Sequence, residues 1–552
     1  MNNQKLNHRW WNGGVIYQVY PRSFLDTGAG NNGTGDLNGI TARLEYIAAL
    51  GADAVWISPF FQSPMKDFGY DVSDYRAVHP MFGTMDDFKR LLAAAHDLGL
   101  KVMIDLVVSH TSDRHPWFAE SRAGKNNPKA DWYVWADAKP DGAPPNNWLS
   151  VFGGTAWKWD GRRCQYYMHN FLDSQPDLNF HNSEVQDAIL DVAEFWLALG
   201  VDGFRLDTIN FYFHDRRLRD NPPLPEELRS ATIAPAVNPY NFQDHIHDRN
   251  QSENIAFLER LRRLMDQYPD RAALGEVGDA IHGLEIIADY TRGEKRAHLC
   301  YSFEFLAERK LSAAGIRRVI SGLGEIADDT SPCWAFSNHD VMRHATRLLK
   351  DGAPPPRQAK FLAALLLSFS GSVCIYQGEE LGLPEAEFDD VSALRDPYGI
   401  EFWPRYKGRD GCRTPMVWNA DAPNGGFSSA TPWLPVDARH LPLAVDRQEA
   451  DADSVLHFYR RIIALRKNEP ALRNGSLNFC DDSDGGGVAV AFHRGYEGRE
   501  VLCVFNPEGE ATTFKLPPGE VVPIDAPDFS VKMSGDTLAL PPFSAFWAEH
   551  RR

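Results

Sequence analysis

Gly203-Phe204-Arg205-Leu206-Asp207 decides how this chain is read. A short apolar run delivers a carboxylate just where the chain turns into a loop. The same design recurs in Leu274-Gly275-Glu276-Val277 and in Phe336-Ser337-Asn338-His339-Asp340. One acidic strand end is ordinary, whereas three within a repeating α/β pattern point to one rim of a parallel barrel, where strand ends converge. Carboxylates gathered at such a rim are the equipment for cleaving a glycosidic bond.

Working outward, apolar runs at 14–20, 54–59, 101–108, 203–207, 273–277, 299–304, 333–337 and 373–377 predict eight strands, with helical periods between them. That is an α/β (β/α)8 barrel. Val185, Ile189, Val192, Trp196 and Leu199 share one helix face, and Gly200 ends that helix. Residues 359–370 are apolar nearly all round and predict a buried helix, and 453–467 predict the eighth. Residues 111–182 hold six of the 15 Trp and are too long for a structureless connection, so they predict an inserted subdomain. The Pro-rich stretch 209–252 reads as a wall-forming loop, and 380–450 as a Gly- and Pro-rich excursion. From about 474 the apolar period changes to two, which predicts an antiparallel β domain. The expected division is therefore barrel at 1–110, insert at 111–182, barrel again at 183–470 and β domain at 471–552.

A net charge of −18 over 552 residues argues against nucleic acid or anionic membrane as partner and is compatible with a neutral small-molecule sugar. Met1 to His8 carry no apolar leader core, and no run approaches the ~18 apolar residues of a membrane span. Seven scattered Cys, with no CxxC pair, predict buried reduced thiols and a cytoplasmic enzyme.

Strand parity puts Arg205 and Asp207 on one face and Phe204 and Leu206 on the other. A guanidinium beside Asp207 favours the ionised carboxylate a nucleophile needs. Glu276 follows an apolar strand, and apolar surroundings raise a Glu towards the range of a general acid. Taken alone, each is equally an ion pair or a buried hydrogen-bonded acid. Asp340, with His339 beside it, and His110 at the end of 105–110 add further polar strand ends at the same rim.

With these segments in view, the chain resembles glycoside hydrolase family 13, the α-amylase superfamily, in its α-glucosidase and oligo-1,6-glucosidase branch. The resemblance spans essentially the whole chain. Segment 105–110 resembles the family's third-strand motif, with Ser109 where Asn is usual, and Gln175-Pro176-Asp177-Leu178-Asn179 resembles the short motif marking the branch. Gly14 to Pro21 resembles the family's first strand. The resemblance implies Asp207 as nucleophile, Glu276 as acid/base and Asp340 as transition-state stabiliser, assisted by Arg205, His110 and His339. Asp67 and Tyr70, in Asp67-Phe68-Gly69-Tyr70-Asp71, resemble the clamp and platform for the terminal glucose. The clamp's Arg is Arg409, with Arg413 as second choice, and Phe152 and Phe171 are expected as apolar walls.

What the resemblance implies is a retaining, exo-acting α-glucosidase that removes terminal α-1,4-linked glucose from short maltose-like substrates or sucrose, with transglucosylation to alcohols. Its rivals are a sucrose- or maltose-acting glucosyltransferase or isomerase of the same family, and a non-catalytic transporter-associated relative. The retained acids and missing membrane segment disfavour the last. Thr208, small and polar beside the nucleophile, resembles the residue of α-1,4-preferring members. No cofactor is expected for the chemistry. The family's calcium loop is altered here: Asp26 and Asp36 remain, but the spacing is longer and Asn32 replaces a central acid, so a structural Ca²⁺ stands on resemblance with fewer carboxylates to hold it.

Overall fold

Eight parallel strands occupy the eight apolar runs: β1 (Val15–Val19), β2 (Ala54–Ile57), β3 (Lys101–Leu106), β4 (Gly203–Leu206), β5 (Ala272–Val277), β6 (Leu299–Ser302), β7 (Cys333–Ala335) and β8 (Ser372–Tyr376). The structure, a computed structural model, describes residues 9–28, 32–307, 309–326, 329–480 and 487–551, so the N-terminal reading over 1–8 lies outside the described residues. The strand order is β6-β5-β4-β3-β2-β1-β8-β7, and a parallel bridge from Cys300 to Pro332 links β6 to the approach of β7 and closes the ring.

Alternate residues of each strand serve two cores. Ile16, Trp56, Met103, Leu274, Tyr301 and Cys374 fill the barrel, whereas Tyr17, Val55, Val102, Phe204 and Leu206 pack outward under the helices. Arg205 therefore points inward, in register with Asp105 on β3 and Leu274 on β5. Two glycines allow the close approach of neighbours. A Cβ at Gly203 would lie 2.3 Å from the Ala272 carbonyl oxygen, and one at Gly275 would lie 2.8 Å from both Cys300 Sγ and Ile209 Cδ1.

The helices are set by ordinary local signals. Helix α1 (Met85–Asp97) begins with a Thr84–Asp87 capping box, and α2 (Ser183–Leu199) begins at Asn182, whose side chain accepts from the Glu184 amide. Gly200, at φ 109°, ends α2. Helix α3 (Pro355–Leu366) starts and stops four residues earlier than its apolar pattern predicts. The buried guanidinium of Arg466, on α4 (Val455–Asn468), donates to the carbonyls of Leu367 and Phe369 at 2.8 and 2.9 Å and satisfies them outside a helix.

Residues 111–182 carry a short helix (Pro116–Arg122) and a three-stranded antiparallel sheet around a core of Val134, Trp148, Trp157 and Met168. Their last turn pairs back onto the barrel through a bridge between Asp177 and His110. Phe211, Ala234 and Tyr240 of the Pro-rich loop share a small core with Val151 of the insert. At the C-terminus, β9 (Ser476–Phe479), β10 (Val490–Tyr496), β11 (Arg499–Asn506), β12 (Glu520–Pro523) and β13 (Ser544–Arg551) form an antiparallel sheet in the order β9-β10-β11-β13-β12. Val490 and Phe492 of β10 join the main core, while Ala491, with Ala489 just before the strand, is buried against a second, three-stranded sheet. The seven cysteines are all free thiols, five of them buried. No helix among the described residues is long and apolar enough to cross a membrane.

Candidate active site

Arg205, fully buried, is the hub of the rim. Its Nη1 lies 2.7 Å from Asp105 Oδ1 and 2.5 Å from Asp207 Oδ1, and its Nη2 lies 2.5 Å from Glu276 Oε1. One guanidinium thus holds the end of β4 and the end of β5 side by side. Tyr301 from β6 donates to Glu276 Oε1 at 3.0 Å, and the Thr208 amide donates to Glu276 Oε2 at 3.1 Å. Thr208 reaches that carboxylate from a left-handed backbone (φ 41°, ψ 50°), which is strained for a β-branched residue. Its hydroxyl contacts Ser109 Oγ at 3.0 Å and donates to Asp207 Oδ2 at 3.4 Å.

Parity alone predicts Asp207 pulled down by Arg205, and the structure corrects this. Burial lifts Asp207 to about 7, with Arg205 opposing and Asp105 reinforcing the lift. The single positive charge is divided among three carboxylates, so desolvation wins. Burial likewise lifts Glu276 to about 7 and Asp105 to about 6, again against the pull of Arg205. Burial thus brings both Asp207 and Glu276 up into the neutral range. Asp340 behaves oppositely: burial raises it, but His339, Arg413 and Arg409 outweigh burial and hold it well below the usual carboxylate range. Arg413 Nη2 lies 2.8 Å and Arg409 Nη1 3.3 Å from Asp340 Oδ1.

Asp207, Glu276 and Asp340 face a cavity of about 840 Å³, which is also lined by Asp67, Tyr70, His110, Phe152, Phe171, Gln175, Thr208 and Arg409. Two of these lining residues pair by charge: Arg409 Nη2 meets Asp67 Oδ1 at 2.9 Å, and Gln175 Nε2 donates to Asp67 Oδ2 at 3.0 Å. Asp396 anchors Arg409 from behind at 2.7 and 3.0 Å. Arg413 instead serves Asp340 and the His339 carbonyl, the latter at 2.7 Å. Phe152 and Phe171 meet edge to face, 5.7 Å apart, and Arg409 lies 5.0 Å over the Phe152 ring. The Pro-rich loop (Ile233, Pro235, Val237) together with Val341 and Met342 adds apolar side chains to the lining.

Two residues expected against a ligand lie behind the cavity wall. Arg205 and His339 are each wholly enclosed, and their donors are already used by the acids and tyrosines around them. His339 Nδ1 accepts from Gln18 Nε2 at 2.7 Å, and its Nε2 faces Tyr70 Oη at 2.5 Å and Asp340 Oδ2 at 3.1 Å. Burial holds this imidazole neutral. The Tyr70 ring stacks on His339 with centroids 5.3 Å apart, and its hydroxyl donates to Asp105. His110 lines the cavity, but its Nε2 lies 2.9 Å from the Tyr70 carbonyl and its Nδ1 2.9 Å from Ser109 Oγ.

Sequence reasoning gave no site role to Asp105, Gln175, Tyr301 or Asp396. A signal existed for Asp105, because it shares the inward parity of Met103 on β3 and an inward acid must find a cation. Asp396 sits in the long excursion after β8, and no periodicity there announces it.

Among the described residues of the altered loop after β1, the oxygens expected around Ca²⁺ accept hydrogen bonds from the protein. Asp36 caps a helical turn, taking the Gly39 amide on one oxygen and the Thr27 amide and hydroxyl on the other. Asp26 accepts from the Gly28 amide and the Ser428 hydroxyl, and Asn32 Oδ1 accepts from the Thr34 amide. Every carboxylate oxygen expected to ligate Ca²⁺ is already turned to a protein donor; residues 29–31 of that loop lie outside the described residues.

Residues 18–475 match the profile of the alpha-amylase catalytic domain. A probable alpha-glucosidase of Rhizobium meliloti (strain 1021) is 58% identical over 539 residues, covering 98% of this chain and 97% of that protein. An oligo-1,6-glucosidase of Halalkalibacterium halodurans is 36% identical, covering 94% and 93%. Among solved structures, an alpha-glucosyl transfer enzyme superposes with a TM-score of 0.94 at 54% identity, covering 98% of this chain and 100% of that one. A trehalulose synthase superposes at 0.87 with 32% identity, covering 98% and 99%.

Proposed function

This chain belongs to the alpha-amylase family of glycoside hydrolases, and on that premise we propose that it is a retaining, exo-acting α-glucosidase that cleaves the terminal glucose of short substrates and also passes it to alcohol acceptors. The observation that carries the reading is the pair Asp207 and Glu276, held 2.5 Å from the two terminal nitrogens of one buried guanidinium and lining one pocket.

In the proposed reaction, Glu276 gives its proton to the glycosidic oxygen as the bond to C1 breaks, and Asp207 attacks C1 to form a β-glucosyl ester. Glu276, now ionised, takes a proton from water or an alcohol, whose oxygen attacks C1 and releases Asp207. Two inversions leave the product in the α configuration. Asp340, kept ionised by Arg409 and Arg413, holds the ring through both steps. The Asp67–Arg409 pair blocks the space beyond the terminal glucose, which supports exo action on short chains.

A second reading, in which transfer outruns hydrolysis, is favoured by the apolar side chains in the pocket lining (Ile233, Pro235, Val237, Met342) and by the likeness to the alpha-glucosyl transfer enzyme. Initial rates on maltose, sucrose, isomaltose, trehalose and maltotriose, with NMR of the first-formed products, test both. The proposal requires α-glucose released fastest from α-1,4 links or sucrose; β-glucose as first product contradicts it. A disaccharide isomer or transfer product outweighing free glucose selects the second reading.

A further inference from the structure

Among the described residues, one cluster of ligating side chains lies outside the barrel pocket, in the C-terminal domain. We propose that His493, His550 and Glu500 form a site for one late first-row divalent metal ion of the zinc class, stapling β10, β11 and β13 together.

The sheet register builds the cluster. His493 on β10 pairs with Leu502 on β11, and Leu502 pairs with Ala548 on β13. Two residues along each strand the side chain returns to the same face, so Glu500 and His550 stand on the face that carries His493. One ligand atom from each of the three lies within 4.8 Å of the others. His493 Nε2 and His550 Nδ1 are 2.9 Å apart, and His550 Nδ1 is 3.9 Å from Glu500 Oε2. Ligands at zinc-type bond lengths in tetrahedral geometry stand about 3.3 Å apart, so the two imidazoles part slightly and the Glu500 carboxylate closes on them to complete the triangle.

The surroundings orient both imidazoles as metal ligands are oriented. His550 Nε2 lies 3.1 Å from the Pro518 carbonyl, which places its proton there and leaves the Nδ1 lone pair facing the cluster. That carbonyl reaches the ring because Gly519 (φ 134°) has no side chain; a Cβ there would lie 2.8 Å from His550 Nε2. His493 has Cys480 Sγ 3.5 Å from its outer nitrogen, a partner on the side away from the cluster. Metal binding needs only that the His493 proton sit on Nδ1 rather than Nε2, with no change of ring charge. His493 and His550 are 93% and 96% enclosed, whereas the Glu500 side chain is 31% exposed. The site is thus closed on the imidazole side and open to an entering ion, and to a completing water, on the carboxylate side. Two neutral nitrogens and one carboxylate suit Zn²⁺ or Co²⁺ better than Ca²⁺ or Mg²⁺.

The test uses the tag-free full chain, stripped with chelator and titrated with CoCl2 by visible absorption and with ZnCl2 by calorimetry. The expected result is one equivalent bound, cobalt ligand-field bands that zinc displaces, and a Tm that rises with metal. His550→Gln should abolish the bands, and Glu500→Gln should weaken binding at least about tenfold, both with unchanged glucosidase activity. If His550→Gln fails to fold, Glu500→Gln decides alone. Absence of stoichiometric binding to the folded wild type, or equal affinity and bands in the folded variants, overturns the proposal and leaves the two rings as a hydrogen-bonded core pair.

Discussion

Arg205 is asked to neutralise more carboxylates than one charge can serve, and that shortage sets the chemistry of the site. Asp105, Asp207 and Glu276 surround it, so burial prevails and raises all three carboxyls. Glu276 acts while protonated, and its proton is lost as pH rises through about 7. Asp207 acts while ionised, and that form is lost as pH falls below about 7. A bell-shaped kcat/KM profile centred near neutrality is expected, and Glu276→Gln should lower kcat by about 10²–10⁴-fold on substrates with poor leaving groups. Steady-state rates across pH check both. Thr208 touches both acids and Ser109, so Thr208→Val removes the hydroxyl contacts to Ser109 and Asp207 while the amide contact to Glu276 stays. The ratio of isomaltose to maltose turnover should then rise roughly fivefold, the worth of about one hydrogen bond; an unchanged ratio would detach Thr208 from linkage preference.

At the scale of strands and helices, the eight barrel strands were legible because each is a bounded apolar run, and the three acids because each ends such a run. Strand parity was harder to read. Both faces of a buried parallel strand are apolar, so nothing in Lys101–Leu106 except Asp105 itself declares which side is inward. Tyr301 reaches Glu276 from the neighbouring strand β6, and Asp396 reaches Arg409 within the excursion after β8, and no local pattern encodes either contact. The end of α3 was misplaced for a similar reason, since Arg466, about 100 residues away, takes the carbonyls that follow it. The packing of β5 gives a direct prediction. Gly275→Ala would press a methyl against Cys300 Sγ and Ile209 Cδ1, costing about 1–3 kcal/mol and displacing Glu276. Thermal melts and kcat together should show activity falling further than stability requires.

Across the whole molecule, burial of acids also sets how stability follows pH. Burial raises Asp177 and Glu379 to about 8 and Glu385 to about 7. Carboxyls raised on folding stabilise below their unfolded pKa near 4, and that contribution is lost as pH climbs through 7 to 8. Burial depresses His110 to about 4 and His115 and His214 to about 3, and their contribution is full above about 6.5 and lost only as pH falls towards 4. The melting temperature should therefore be lower at pH 8.5 than at pH 6.5, and Asp177→Asn should flatten that decline; a melting temperature that climbs over this range contradicts the assignment. Everything proposed for catalysis returns to one bond, the ester between Asp207 and the glucosyl carbon. The direct measurement is mass spectrometry of peptides after reaction with a slow fluorinated α-glucosyl donor. The account predicts one glucosyl adduct per chain, on the peptide carrying Asp207 and absent in Asp207→Asn. An adduct on any other carboxylate, with Asp207 unmodified, would contradict it.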